Sequence, residues 1–251
     1  MQITDYSFPK LRVVENFVSK EDCDWFIDYA NSKNSWSLNN ATREHFSDEN
    51  HYKQVVQQWD NRKIDFNRLY NERKEPELFK KVWSVKEKAK VQVADFFKVD
   101  INSFWIESWE AVRWYSPYHQ TPHIDYIDPD FDRSKLPEGY DSSFFTEEEE
   151  SLYRKHCTTK HYTGMIYMNE DFDGGELYFP YHNNFELKPK PGMLVIFSGD
   201  IFNPHGIKPI TSGTRYVHTT FWTRTPLNWH FIAQDQKANR VNKFWGKDLT
   251  S

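Results

Sequence analysis

The sequence is poor in cysteine and glycine and has no long hydrophobic run. Its 2 cysteines among 251 residues are too few for a disulfide framework or a thiolate zinc site. We therefore expect buried thiols in a reducing compartment, the cytoplasm. No apolar run approaches the roughly 20 residues of a membrane helix, and the N-terminal residues lack the apolar core of a signal peptide. We expect a soluble protein without a membrane partner.

The charge balance excludes another class of partner. Acidic residues outnumber basic ones, 37 to 32, and the formal net charge is -5. A protein that binds DNA or RNA usually carries a strongly basic surface, so we expect no nucleic-acid partner. Aromatic residues make up 18% of the chain, which excludes wholesale disorder because disordered chains contain few of them.

Residues 1–100 are predicted to form a helical support region that begins with a strand-like segment. Ser19 is a predicted N-cap, and the apolar residues after it follow the spacing i, i+3, i+4, i+7 of a helix. Pro76 fits the first position of a second helix of about five turns, whose apolar stripe lies opposite Lys and Glu. Residues 31–75 show no sustained period, and we expect loops with short helical pieces there.

From residue 101 the pattern changes to short aromatic and β-branched runs separated by turn residues, which is typical of strands. Many short strands after a helical half predict an α+β, mainly β fold, a sandwich or jelly roll with helices packed on one side. Polar residues 127–160 interrupt the core at 101–223 as an insertion, and 224–251 form a C-terminal tail. No stretch is typical of a linker, so we expect a single domain over 1–251. The predicted strands are 103–108, 110–116, 122–126, 161–168, 175–179, 185–188, 193–198, 205–209 and 215–223.

Two histidines and an aspartate are candidate metal ligands. In the segment TPHIDY, His123 and Asp125 are separated by one residue, and such residues point to the same face of a strand. His205, in the segment NPHG, begins a later predicted strand. Two imidazoles and a carboxylate occupy one face of a metal and leave the opposite face open, as non-haem Fe(II) oxygenases require. Arg215 follows at the head of an aromatic strand, and a guanidinium there suits the far carboxylate of a dicarboxylate cosubstrate.

The order of these motifs resembles the prolyl 4-hydroxylase branch of the Fe(II)/2-oxoglutarate-dependent dioxygenases. The HxD motif is followed by YMNEDFDGGELYFP, by KPGMLVIFSGD, and then by a lone histidine with a cation further along. The similarity covers roughly residues 101–223. It implies a double-stranded β-helix in which His123, Asp125 and His205 bind Fe(II). It also implies 2-oxoglutarate and dioxygen as cosubstrates, and it leaves a need for ascorbate open.

The resemblance implies roles for residues around that centre. Arg215 would bind the distal carboxylate of 2-oxoglutarate. Tyr115 is near the position of the family's cosubstrate-binding tyrosine, and Thr219 follows Arg215 on the strand that closes the pocket. Phe221 and Trp222 are next to the family's usual aromatic position, so either side chain would line the substrate pocket.

The implied reaction is hydroxylation of an aliphatic C–H with decarboxylation of 2-oxoglutarate to succinate. The family branch favours a prolyl residue in a peptide or protein as the substrate. Prolyl 4-hydroxylases usually carry Lys at the position of Arg215, so a free amino acid or a small metabolite stays open as an alternative substrate. A second alternative is a non-redox metal-binding jelly roll, which would not need a cation at the position of Arg215. The sequence indicates no oligomeric state.

Overall fold

The computed structural model describes residues 1–7, 9–32, 63–65, 76–136, 150–151, 154 and 159–224. In these ranges the helices are α1 (Lys20–Ser32) and α2 (Pro76–Phe97). The strands are β1 (Gln2–Ser7), β2 (Lys10–Glu15), β3 (Lys63–Asp65), β4 (Trp105–Tyr115), β5 (Gln120–His123), β6 (Tyr162–Tyr167), β7 (Phe172–Gly174), β8 (Leu177–Phe179), β9 (Phe185–Leu187), β10 (Leu194–Phe197), β11 (His205–Ile207) and β12 (Ile210–Thr223). Neither of the two helices is both long enough and apolar enough to cross a lipid bilayer.

The described strands form two antiparallel sheets. In the larger sheet the strand order is β1-β2-β10-β6-β12-β4-β3, and β7 also pairs with β12. In the smaller sheet the order is β5-β11-β8-β9. Each ladder in both sheets is antiparallel. This topology confirms the predicted mainly β jelly roll.

An apolar core lies between the two sheets, because alternate side chains of each strand point toward the facing sheet. The larger sheet contributes Val112, Met165 and Val217, and the smaller sheet contributes Leu177 and Ile207. All of these side chains are buried. We call this space between the sheets the interior, and the candidate site described below opens from it.

The helices cover the opposite face of the larger sheet. Helix α1 begins after Ser19, whose hydroxyl accepts the backbone N–H of Asp22 at 3.1 Å, as expected of an N-cap. Helix α2 begins at Pro76, as predicted. The apolar stripes of both helices form one core with the outward side chains of the sheet, and the predicted packing of helices on one sheet is confirmed. Members of this second core include Cys23, Phe26, Ala30, Leu78, Val82, Ala89, Val93, Ala111, Ile166, Ile196 and Trp222.

Several expected boundaries differ from the structure. The predicted strands 103–108 and 110–116 are one strand, β4, because β12 pairs with β4 along its length. Strand β5 ends at His123, before the predicted end at residue 126. The prediction for residues 31–75 falls largely outside the described residues, and so do most of the insertion and of the C-terminal tail.

Candidate active site

His123 and His205 meet where two strands of the smaller sheet pair. His123 ends β5, His205 begins β11, and the two are register partners in the ladder, with ring centroids 4.5 Å apart. The Nδ1 atom of His123 lies 3.0 Å from the carbonyl oxygen of Thr121, and that of His205 lies 3.1 Å from the carbonyl oxygen of Asn203. A carbonyl can only accept, so each Nδ1 carries the proton. Each Nε2 therefore keeps a lone pair for a metal.

Asp125 completes a cluster of three metal-ligating side chains. Its Oδ1 lies 3.6 Å from Nε2 of His123, and its Oδ2 lies 3.4 Å from Nε2 of His205. One potential ligand atom from each residue lies within 4.8 Å of the other two. The backbone N–H groups of Asp125 and Tyr126 donate to the carbonyl oxygen of Gly199 at 2.7 and 3.0 Å, which fixes this turn against the loop before β11. The structure thus brings the three predicted ligands together, and their role in binding iron stays a prediction.

The protonation states of the cluster suit a divalent metal. Burial lowers the pKa of His205 to about 4, although the Asp125 carboxylate opposes this shift. Burial alone would raise the pKa of Asp125, but His205 and His123 outweigh burial and lower that pKa well below its usual range. A metal binds the neutral imidazole and the ionised carboxylate, and both forms are present at neutral pH. The donor set therefore fits Fe(II).

Arg215 is a buried cation that fits an anionic ligand. The residue is 0% exposed, and its guanidinium carbon lies 4.9 Å from the centre of the Tyr167 ring. None of its three guanidinium nitrogens has a hydrogen-bond partner among the residues that the structure describes. Burial lowers the pKa of Arg215, and the nearby Tyr167 opposes this shift. Arginine stays charged in proteins, and burial of a charge without hydrogen bonds is costly. An entering carboxylate would remove that cost.

Thr219 and Phe221 share the inward face of β12 with Arg215, because residues two apart on a strand point the same way. Phe221 is the register partner of Thr163 on β6. The amine nitrogen of Lys160 lies 4.2 Å from the centre of the Phe221 ring. Thr219 and Phe221 are partly exposed, whereas Arg215 is buried. The structure therefore places these three predicted residues along one wall of the interior.

Trp222 does not lie on this wall, which corrects one prediction, and the role of Tyr115 stays a prediction. Trp222 is buried in the core between the larger sheet and the helices. On β4 the interior side chain is that of Trp114, the register partner of Arg215, and not that of Tyr115. The Tyr115 ring contacts the ring of Tyr118, at 4.9 Å between centroids, and Tyr118 packs against the interior core. The reason is the alternation of a strand, in which an offset of one residue moves a side chain to the other face.

We expect Trp222→Ala to lower stability and not cosubstrate affinity. Truncation of a buried Trp costs about 3–5 kcal/mol of unfolding free energy, and urea unfolding measures this loss. Trp222→Phe is a milder variant for measuring the KM for 2-oxoglutarate in folded protein. A large rise in that KM without a loss of stability would contradict the placement of Trp222 in the helix-facing core.

Three further neighbours of the site were not predicted from the sequence. The Thr163 hydroxyl donates to Oδ2 of Asp125 at 2.7 Å. The amide nitrogen of Gln120 lies 3.1 Å from Nε2 of His123, so a metal on this nitrogen must replace that hydrogen bond. Tyr167 packs against the guanidinium described above. The alternation of YTGMIY in β6 would have placed Thr163 and Tyr167 on one face, but no sequence signal identified that face as the interior.

The central part of the chain matches a known family. Residues 111–224 match the family model described as the 2OG-Fe(II) oxygenase superfamily. Over 74 residues the chain is 39% identical to prolyl 3-hydroxylase 2 of Mus musculus, and over 73 residues it is 37% identical to prolyl 3-hydroxylase 3 of Homo sapiens. Each alignment covers 28% of this chain and 10% of the relative. The chain therefore matches only about a tenth of the length of these relatives.

A solved structure has a similar fold. It is a truncated form of the viral collagen prolyl hydroxylase vCPH from Paramecium Bursaria Chlorella virus-1. The TM-score is 0.50 at 17% identity, and the superposition covers 85% of this chain and 89% of that chain. At this level of identity the likeness concerns the fold, which agrees with the two antiparallel sheets described above.

Proposed function

We propose that this protein is a 2-oxoglutarate-dependent dioxygenase, because residues 111–224 match the 2OG-Fe(II) oxygenase superfamily. Its cofactor is Fe(II), and its cosubstrates are 2-oxoglutarate and dioxygen. We propose that it hydroxylates an aliphatic C–H of a prolyl residue in a peptide or protein. The observation that carries this proposal is the cluster of His123, Asp125 and His205 in an interior that also holds the buried cation of Arg215.

His123, Asp125 and His205 would hold the iron. Two imidazole nitrogens and one carboxylate leave part of the metal's coordination open to cosubstrates. With its cosubstrates, the bound iron supplies the oxidising chemistry that converts C–H to C–OH while 2-oxoglutarate becomes succinate and carbon dioxide. The protein contributes fixed ligand orientations, because backbone carbonyls hold both imidazole rings in the tautomer that presents Nε2.

Arg215 would bind the distal carboxylate of 2-oxoglutarate. A guanidinium can hold a carboxylate through two parallel hydrogen bonds. None of the three guanidinium nitrogens of Arg215 has a hydrogen-bond partner among the described residues, so they can donate to such a ligand. Arg215 is fully buried, and the low dielectric of such surroundings would strengthen the interaction between the two charges. Thr219 lies on the same face of β12 and would supply a hydroxyl beside the cosubstrate.

Aromatic side chains near the metal cluster would receive the substrate. Tyr126 follows Asp125 directly, and its ring stacks on His161 at 4.3 Å between centroids. On β12, Phe221 is partly exposed, and the amine of Lys160 lies over its ring. Flat apolar rings suit the apolar pyrrolidine ring of a prolyl residue. The prolyl hydroxylases among the relatives support the same substrate class.

A free amino acid or a small metabolite is the alternative substrate. Lys160 lies close enough to Asp125 to contribute to the lowering of its pKa. A cation near the cluster would suit the carboxylate of a free amino acid. The same residues would hold iron and 2-oxoglutarate in either case.

The substrate class is tested with a matched panel. The purified protein is incubated in air with Fe(II), 2-oxoglutarate and either proline-rich peptides, the same peptides with Ala in place of Pro, or a pool of free amino acids. We expect mass spectrometry to show the gain of one oxygen atom on the proline-containing peptides alone. Oxygen on a free amino acid would replace the prolyl assignment with the alternative, and equal oxidation of the Ala peptides would contradict it.

We also propose that the protein works in the cytoplasm. Cys23 is a free thiol that is buried against the sheet, and burial raises its pKa to about 11. It therefore behaves as a small apolar side chain, which fits a reducing compartment. Subcellular fractionation of the source cells tests this, and recovery of the protein from a secretory fraction would contradict it.

A further inference from the structure

We propose that Thr163 is a positioning residue that holds Oδ2 of Asp125, so that Oδ1 would be the oxygen left for a bound metal. The inference rests on the proposed function, because it concerns one of the same three predicted iron ligands. The Thr163 hydroxyl donates to Oδ2 at 2.7 Å, and both residues are buried, at 2% and 8% exposure. The hydroxyl therefore forms a hydrogen bond with one of the two carboxylate oxygens, both of which lie near the histidines.

The geometry of the carboxylate shows why such a restraint is needed. Oδ1 lies 3.6 Å from Nε2 of His123, and Oδ2 lies 3.4 Å from Nε2 of His205. Both oxygens are thus close to the ligand atoms of the histidines. The terminal torsion of an aspartate is broad and roughly two-fold, so the backbone does not choose between one coordinating oxygen and two. A second coordinating oxygen would take one of the positions that the cosubstrates need.

Gly199 completes the restraint from the other side. Its carbonyl oxygen accepts the backbone N–H groups of Asp125 and Tyr126, which fixes the origin of the side chain. A Cβ at position 199 would lie 2.6 Å from Cβ of Asp125 and 2.8 Å from the hydroxyl oxygen of Thr163. The absence of a side chain here leaves room for the hydrogen bond. Thr163 is β-branched, so its own side chain has few alternative rotamers.

Thr163→Val and Thr163→Ser separate the hydroxyl from the shape of the residue. Val keeps the branched shape and removes the hydrogen bond, whereas Ser keeps the hydroxyl. Co(II) serves as the probe, because its visible absorption changes with the number of ligands around it. Calorimetry gives the Co(II) affinity of each variant. We expect Val to weaken Co(II) binding by about 10–100-fold, the usual cost of losing a partner of a metal ligand. We also expect a changed Co(II) spectrum, and recovery of both readouts in Ser.

The coupling of turnover gives a second readout. In the Val variant we expect more succinate for each hydroxylated product than in the native protein, since a less fixed carboxylate alters the positions open to the cosubstrates. A purely structural role would lower the amount of folded protein and would leave the spectrum and this ratio unchanged. A Val variant with the native Co(II) affinity and spectrum would overturn the inference.

Gly199→Ala tests the same restraint without removing a polar group. We expect it to weaken Co(II) binding, because the new methyl group displaces Asp125 or Thr163. Gly164→Ala is the matched control, since its methyl group meets the Trp222 ring at 2.7 Å in the helix-facing core. The control should lower the melting temperature and keep the native Co(II) affinity. Equal affinities in the two alanine variants would overturn the inference.

The failure of the proposed function gives a different result. If the native protein binds no Co(II), the metal site itself is refuted, and the role of Thr163 falls with it. If the native protein binds Co(II) and the Val variant does so equally well, the metal site stands and the role of Thr163 falls.

Discussion

Asp125→Ala and His123→Ala are expected to abolish iron-dependent turnover while the protein remains folded. Each variant removes one of the three predicted ligands, so the loss of iron affinity should exceed the roughly 10–100-fold cost of losing an outer partner of a ligand. Neither side chain belongs to the apolar cores that hold the sheets and helices together. We therefore expect a native circular dichroism spectrum and little change in melting temperature. Iron content by elemental analysis and succinate formation measure the two losses.

Matched controls for these variants lie on the same segment. His119 is exposed four residues before His123, and Asp130 is exposed five residues after Asp125. His119→Ala and Asp130→Ala should keep native iron content and turnover. Full activity in either ligand variant, or equal losses in the controls, would show that the ligands have been assigned wrongly.

Arg215→Met is expected to lose 2-oxoglutarate affinity without losing stability. Removal of one partner from a buried charge pair costs about 2–5 kcal/mol, so the KM for 2-oxoglutarate should rise at least about 30-fold. Iron binding should be unchanged. The isolated protein should melt at the same temperature or higher, because replacement of a buried ionic group by an apolar one of similar volume is often neutral or stabilising.

The thermal shift on ligand addition separates this role from a structural one. Addition of 2-oxoglutarate to the metal-loaded native protein should raise its melting temperature by mass action, and Arg215→Met should show no such rise. Arg113→Met, on the neighbouring strand β4, is the control and should respond as the native protein does. A destabilised Arg215→Met variant with native cosubstrate affinity would refute the binding role.

The cluster of His123, Asp125 and His205 can be predicted from the sequence more readily than the residues around it. His123 and Asp125 lie two residues apart beside a strand, and the motif order places His205 with them. The register of β5 with β11 then brings both imidazoles together. The jelly roll and its covering helices follow from the same strand and helix patterns. The spacing of residues along the chain is enough to predict these features.

The residues around the cluster depend on strand faces, which the sequence determines less well. Tyr115 was expected at the site, but Trp114 points inward, because an offset of one residue reverses the face. The same alternation places Trp222 against the helices and Phe221 in the interior. Strand patterns with apolar residues on both faces do not indicate which face meets the second sheet.

Contacts between distant segments were the least accessible to sequence reasoning. Thr163 and Asp125 are 38 residues apart along the chain, and the insertion lies between them. Their hydrogen bond depends on the packing of β6 next to the turn after β5, which no local pattern encodes. The position of Tyr167 against Arg215 depends in the same way on the pairing of β6 with β12.

The most direct test of the iron and 2-oxoglutarate site is succinate formation by protein loaded with Fe(II) under anaerobic conditions and then exposed to air. The reaction contains 2-oxoglutarate and the matched peptide panel. We predict succinate that requires iron, rises with a substrate, and is absent in Asp125→Ala. A native protein that is loaded with iron and yet forms no more succinate than Asp125→Ala with any member of the panel would contradict the account.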